Sequence, residues 1–152
     1  MPSIIKEESL AIDKMFSWCA TGDEIIIIKK AIFEVKIGKG LYNEASKCKG
    51  DLHSLKFIVS EHTGLDQKAA VELGRALYRL VKPKYERERM IRAGIVYGTW
   101  VYTSDICQYP HHEKLNGKRF SLIKGARIGF FKRELPGQSV GCSCFIKPVL
   151  PF

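Results

Sequence analysis

Cysteine and histidine residues in the second half of the chain are the groups best suited to chemistry. Cys107 is followed by His111 and His112, and one residue separates Cys142 from Cys144. Thiolates and an imidazole could supply the four ligands of a tetrahedral zinc ion. In a strand, Cys142 and Cys144 would share one face about 6.6 Å apart, which is workable near a strand end. The spacing matches no common zinc finger. We therefore predict no cofactor or metal, and the alternative is a zinc ion bound among these five residues.

The same residues could also form a catalytic pair. Cys142 or Cys144 with His111 or His112 would give a thiolate and an imidazole, as in cysteine hydrolases. Residues 137–141 match the G-x-S-x-G nucleophile motif, but the eleven residues after Gly141 contain no Asp, Glu or His. An α/β-hydrolase needs an acid and a histidine after its serine. We therefore interpret 137–141 as a turn and predict a non-enzymatic protein, with a small Cys/His or zinc-dependent enzyme as a lesser alternative.

Charge is unevenly distributed along the chain. Residues 1–63 hold nine Lys, no Arg and nine acids, whereas residues 64–152 hold sixteen Lys and Arg against seven acids, a net charge of +9. Arginine presents a planar fork of donors that matches phosphate oxygens. This distribution predicts a surface that binds a polyanion, most simply RNA, with little sequence preference.

The segment 118–133 is the most basic stretch of the chain, with six cations, three phenylalanines and no acid. Cations between aromatic rings suit single-stranded nucleic acid, because phosphates meet the charges and bases stack on the rings. Alternatively, Phe120, Leu122, Ile128 and Phe130 form the core side of two strands. This alternative leaves the charges outside, so we favour phosphate contact over base recognition.

A long amphipathic helix is predicted over residues 63–82, and it would position some of this surface. Thr63 would cap the helix and Pro83 would end it. Its apolar side follows a 3.6-residue period and comprises Leu65, Ala69, Leu73, Ala76, Leu77 and Leu80. The cations of the helix fall on another side. The candidate anion-binding residues of the whole chain are Lys68, Arg75, Arg79, Lys82, Lys84, Arg119, Lys124, Arg127, Lys132 and Arg133.

The remaining pattern predicts a single α+β domain over residues 1–152, in which residues 1–63 are neutral and residues 64–152 are basic. We expect a mostly antiparallel sheet of about six strands, with two or three helices packed on one side. A first helix is predicted over 3–18. Runs of β-branched and aromatic residues predict strands at 24–37, 54–60, 93–103, 119–124, 126–133 and 140–147.

Size, basicity and the predicted strand–helix–strand layout of 54–103 are loosely similar to small matrix proteins of negative-strand RNA viruses. This similarity implies an alternative function: a structural protein that contacts an anionic membrane or a nucleocapsid and self-associates. Exposed apolar residues such as Phe131 or Leu150 would favour membrane contact.

Compartment is predicted from features that the sequence lacks. No stretch approaches the 18–20 apolar residues of a membrane span, and Lys6, Glu7 and Glu8 stand where a signal peptide would be apolar. Five cysteines without a disulfide pattern indicate reduced thiols. We expect an intracellular, cytoplasmic protein, with attachment to a membrane surface as the alternative.

Overall fold

Helices fill the first half of the chain and short strands the second in the computed structural model, which describes residues 6–151. The chain divides into two compact units, residues 1–81 and 82–152. The charge follows this division. The N-terminal unit contains twelve Lys and Arg residues and eleven acids, whereas the C-terminal unit contains thirteen and five, a net charge of +8.

The N-terminal unit is built from helices that each turn an apolar side inward. Ile12, Ile28, Leu55 and Leu73 are fully buried representatives of four of them. A short ion pair joins Lys36 Nζ, which is half-buried, to the buried Glu8 Oε1 at 2.6 Å. The helices are α1 (Lys6–Phe16), α2 (Gly22–Lys36), α3 (Tyr42–Lys47), α4 (Leu52–Thr63) and α5 (Gln67–Arg92), and the last eleven residues of α5 belong to the C-terminal unit.

Two predicted strands of this unit are wrong, because both segments are helices. Residues 24–37 belong to α2, whose first turn is fixed by a capping box in which Thr21 and Glu24 each bond the other's backbone N–H. Its buried residues follow a helical rather than a two-residue period. Residues 54–60 belong to α4, which begins with Asp51 as cap and ends at Gly64 in the left-handed conformation. Local caps outweighed the β-branched composition.

The amphipathic helix is confirmed, but its ends differ from the prediction. Asp66, rather than Thr63, caps α5 by accepting from the N–H of Ala69. The helix continues through Pro83 to Arg92. The predicted apolar side is buried except Leu80, which is half-buried.

The C-terminal unit, beyond the end of α5, holds two small antiparallel sheets and a short 3-10 helix, Pro110–Leu115. The central strand of the first sheet pairs with one strand on each side. The second sheet is a hairpin. The strands are β1 (Tyr97–Val101), β2 (Arg119–Ser121), β3 (Ala126–Ile128), β4 (Lys132–Glu134) and β5 (Phe145–Val149), with spatial orders β2-β1-β5 and β3-β4.

The fold class therefore needs correction. The chain is α+β, but residues 6–151 form five strands in two small sheets and six helices, not one six-stranded sheet with two or three helices. Gly129 breaks the predicted strand 126–133 into a hairpin, since its φ of 73° suits a tight turn. The last strand begins only at Phe145. Within the described residues, no helix is both long enough and apolar enough to span a bilayer.

Candidate metal centre

Four side chains of the C-terminal unit bring three sulfur atoms and one nitrogen atom together. Nδ1 of His112 lies 3.4 Å from Sγ of Cys107, 3.4 Å from Sγ of Cys142 and 3.8 Å from Sγ of Cys144. Sγ of Cys107 and Sγ of Cys144 are 3.8 Å apart. All four atoms lie within 4.8 Å of one another, and all four residues are buried. We call this set the Cys3His cluster.

These distances match the edges of a zinc coordination tetrahedron. Zn–S bonds of about 2.3 Å and Zn–N bonds of 2.0–2.1 Å place two sulfur ligands about 3.8 Å apart, and a sulfur and a nitrogen ligand about 3.6 Å apart. A disulfide would instead need about 2.05 Å between sulfur atoms. All five cysteines of the chain are free thiols. The cluster therefore has the spacing of ligands around one ion.

Hydrogen bonds outside the cluster hold its two chain segments together. The N–H of Gln108 donates to the carbonyl of Gly141 at 2.9 Å. The hydroxyl of Tyr109, which is buried, donates to the carbonyl of Val140 at 2.6 Å. Each bond joins a residue close to Cys107 to a residue close to Cys142. The ligand-bearing loops are thus paired by groups that are not themselves ligands.

The glycine-rich segment 137–141 has a role in this arrangement as a turn. The N–H of Gly137 donates to Sγ of Cys142 at 3.3 Å, a contact that would also be favourable for a metal-bound thiolate. Gly137 has a φ of 75°, and a Cβ there would lie 2.6 Å from Cγ of Pro83. Only glycine meets both conditions without displacing a neighbour. The interpretation of 137–141 as a turn is confirmed.

A buried carboxylate orients the histidine. Oε2 of Glu134 lies 2.6 Å from Nε2 of His112, on the side of the ring opposite Nδ1. In the metal-bound state Nε2 would keep its proton and donate to this carboxylate, and Nδ1 would release its proton and offer a lone pair to the ion. Such a carboxylate–histidine pair is the usual outer support of a zinc-bound imidazole.

Ionisation within the cluster is strongly coupled. Hydrogen bonds with Cys142 and Cys144 lower the pKa of Cys107, while hydrogen bonds with Cys107 and Cys144 raise the pKa of Cys142. Burial lowers the pKa of His112, but its bonds with Cys107, Cys144 and Glu134 outweigh burial and raise that pKa to about 11. These shifts favour a thiolate at Cys107 and a proton on His112, and a bound metal ion would displace protons that the ligands still carry. A metal cation would stabilise the remaining negative charge.

Glu134 is held in its ionised form by the same ring. Burial raises the pKa of Glu134, but the hydrogen bond from His112 and the charge of His112 lower it further than burial raises it.

Aromatic rings enclose the imidazole. The ring of Tyr109 stacks on that of His112 at 5.2 Å between centroids, and Trp100 meets it edge-on at 5.1 Å. This apolar surround limits access of water to the ligands.

Four of the five metal-ligand candidates predicted from the sequence lie in the Cys3His cluster, and His111 lies outside it. Nε2 of His111 instead lies 3.8 Å from Oε2 of Glu134. Cys142 and Cys144 lie in irregular backbone just before β5, so their sulfur atoms are not held at the spacing of alternate strand residues. Glu134 was not predicted from the sequence. Glu134 is the only Asp or Glu in residues 114–152, and an isolated acid in a basic segment was the available indication of a specific role.

The predicted anion-binding cations divide between the two units, and all ten are exposed. Lys68, Arg75 and Arg79 lie on α5 in the N-terminal unit, where Arg75 pairs with Glu72 at 3.1 Å. That all ten form one face stays a prediction. The C-terminal unit carries the others, on α5, on β2 to β4 and in the turn before β3, namely Lys82, Lys84, Arg119, Lys124, Arg127, Lys132 and Arg133.

Comparisons with known proteins add no assignment. No protein-family model, curated protein or solved structure matches the chain significantly.

Proposed function

We propose that residues 82–152 form a zinc-binding module of the Cys3His type, within a non-enzymatic protein that binds nucleic acid, RNA being favoured. One observation carries the metal assignment. Three sulfur atoms and Nδ1 of His112 are spaced as the ligands of a single tetrahedral ion. Sulfur and imidazole ligands in a tetrahedron select zinc, whereas magnesium and calcium require oxygen ligands.

The geometry supports a structural role for this metal. The chain supplies four ligands, so a tetrahedral ion would keep no position for water or substrate, as a catalytic zinc must. The four side chains are also buried, which argues against a cysteine nucleophile, since a substrate must reach the thiolate. Metal binding would then contribute to the folding free energy of the unit.

Nucleic acid as the partner is supported by the charge of the same unit. The C-terminal unit has a net charge of +8, and its seven candidate cations are exposed. A compact unit with so few acids attracts a polyanion at long range and gains affinity from counterion release. An anionic membrane surface is the competing partner.

Cobalt substitution tests the metal site. Co2+ bound by three thiolates and one imidazole in a tetrahedron should give intense visible bands and a thiolate charge-transfer band. Cys107→Ser, Cys142→Ser and Cys144→Ser should each weaken or abolish these bands. Cys19→Ser and Cys48→Ser are matched controls, because these thiols lie in the other unit, and both should retain the full spectrum.

His112→Ala and His111→Ala extend the test to the nitrogen ligand. Only His112 directs a ring nitrogen at the thiols, so His112→Ala should lose the tetrahedral spectrum and His111→Ala should keep it. A wild-type chain that binds neither cobalt nor zinc would refute the proposal. Equal loss in the Cys48→Ser control would refute the ligand assignment.

A further inference from the structure

The hairpin formed by β3 and β4 ends in two exposed aromatic rings. We call residues 126–134 the Phe hairpin. Its loop is Gly129-Phe130-Phe131, so both phenylalanines lie outside the strands. Phe130 is 85% exposed and Phe131 fully exposed. Their ring centroids are 6.4 Å apart with planes tilted by 43°. The alternative that places Phe130 in a core is therefore wrong.

Two arginines occupy directly opposite positions on the hairpin. Arg127 and Arg133 are cross-strand partners, and both are exposed. Within residues 6–151, neither forms an ion pair with a carboxylate. Their guanidinium groups donate only to backbone, Arg127 to the carbonyl of Phe130 at 3.4 Å and Arg133 to the carbonyl of Gly125 at 3.3 Å. Like charges in this position destabilise a hairpin, and a bound anion would relieve the repulsion.

We propose that the Phe hairpin binds single-stranded nucleic acid, with bases stacked on Phe130 and Phe131 and phosphates held by Arg127 and Arg133. This inference rests on the proposed nucleic-acid function and assigns the binding element. Exposed rings stack any base, and Arg forks bind phosphate bidentately. Lys124, adjacent to Gly125, extends the row of cations toward the base of the hairpin.

The position of Arg127 favours nucleic acid over a membrane. Its guanidinium contacts the backbone of Phe130, so the charge lies beside the rings at the end of the hairpin. If the rings were inserted about 5–10 Å into the boundary between headgroups and acyl chains, the guanidinium of Arg127 would enter with them and be desolvated. In a nucleotide strand, bases and phosphates alternate over short distances, and rings beside cations match that pattern.

The metal centre supports the base of this hairpin. Glu134, the last residue of β4, contacts His112 of the Cys3His cluster. Just before β3, Gly125 has a φ of 85°, and a Cβ there would lie 2.7 Å from the carbonyl oxygen of Glu134. The base is thus fixed by close packing and by the ligand histidine, while the loop extends into solvent. Removal of the metal should therefore weaken nucleic-acid binding as well as folding.

Fluorescence anisotropy with a labelled oligouridine RNA and the matching DNA tests the inference on the full-length, zinc-loaded chain. Phe130→Ala/Phe131→Ala should weaken binding at least about thirtyfold, because two stacked bases lose their platforms, and the salt dependence should not change. Arg127→Ala/Arg133→Ala should reduce the slope of log K against log salt by about 1.4, or about 0.7 per lost phosphate contact.

Matched controls separate the hairpin from general effects. Tyr85→Ala removes an exposed aromatic ring of the same unit, and Lys114→Ala/Lys147→Ala removes two exposed charges outside the hairpin. Both should bind within about twofold of wild type at moderate salt. Zinc content and thermal melting of every variant report whether the module is intact, independently of binding.

Each other outcome overturns a stated element of the proposal. Wild-type chain that binds zinc but no nucleic acid refutes the proposed function. If the Phe variant has normal zinc content and binds nucleic acid as tightly as wild type, only the hairpin assignment is refuted, and the proposed function stands. If the Phe variant loses only its binding to phosphatidylserine vesicles and keeps nucleic-acid binding, the hairpin is a membrane-binding element and the inference is wrong.

Discussion

Glu134→Gln should weaken zinc binding without removing any ligand. The substitution keeps the shape of the side chain and an oxygen that can accept from Nε2 of His112, but it removes the negative charge. The bond is short, at 2.6 Å, and both side chains are buried. Its electrostatic contribution is therefore poorly screened by water. The imidazole should become a weaker ligand and less well oriented.

The size of the effect follows from the kind of hydrogen bond lost. A bond to a charged group contributes about 1.5–3 kcal/mol and a neutral one about 0.5–1.5 kcal/mol. The difference, about 1–1.5 kcal/mol, corresponds to roughly a tenfold change in dissociation constant. Loss of such outer partners typically weakens metal binding by about 10–100-fold. We therefore expect a decrease of about tenfold for Glu134→Gln and a larger one for Glu134→Ala.

Competition with a chromophoric chelator measures this change directly. Glu113→Gln is the matched control, because Glu113 is an exposed acid next to the ligand histidine, and it should keep wild-type affinity. Comparable cobalt spectra for Glu134→Gln and wild type would establish that the four ligands are unchanged. Zinc affinity of Glu134→Gln within about twofold of wild type would refute the assigned role of the carboxylate.

Three further predictions concern charge, backbone and pH. Arg75→Glu/Arg79→Glu should weaken RNA binding at low salt more than at high salt and leave melting nearly unchanged, since both side chains are exposed; filter binding equal to wild type would contradict this. Gly125→Ala should cost about 1–3 kcal/mol in urea unfolding, because its φ is 85° and the added Cβ meets backbone, and unchanged stability would contradict it. Hydrogen bonds from the hydroxyl and then the N–H of Ser54 lower the pKa of Asp51 in the folded chain. The ionised cap therefore stabilises the fold above the unfolded pKa of about 3.9. This stabilisation is lost as the pH falls through the lower folded pKa. Thermal melts of Asp51→Ala from about pH 7 to about pH 2 should therefore show a smaller loss of stability than wild type, and equal losses would count against this.

The long helix could be predicted because its period agrees with its packing. Leu73 and Leu77 lie one turn apart on a side that is fully buried. The run Ile25–Ile28 misled the prediction because a continuous apolar run has no period of its own. The capping box of Thr21 and Glu24 was the available signal for a helix. Local hydrogen bonds at a helix start were more informative there than β-branched composition.

The metal site could be predicted only incompletely. Residue type was enough to indicate Cys107, Cys142 and Cys144 as candidate ligands. The choice between His111 and His112 as the nitrogen ligand depends on which ring faces the thiols. The assumption of a strand at Cys142 and Cys144 gave too long a separation of the two side chains, because these residues lie in irregular backbone before β5 and their sulfur atoms are within 4.8 Å of each other. Glu134 on β4 contacts His112 of the 3-10 helix, a contact between residues 22 positions apart in sequence that no local pattern encodes.

Native mass spectrometry of the purified full-length chain tests the central claim most directly. We expect one zinc ion per chain under non-denaturing conditions, its loss in acid, and its absence in Cys142→Ser but not in Cys48→Ser. A wild-type chain that carries no metal after reconstitution with zinc under reducing conditions would contradict the zinc assignment.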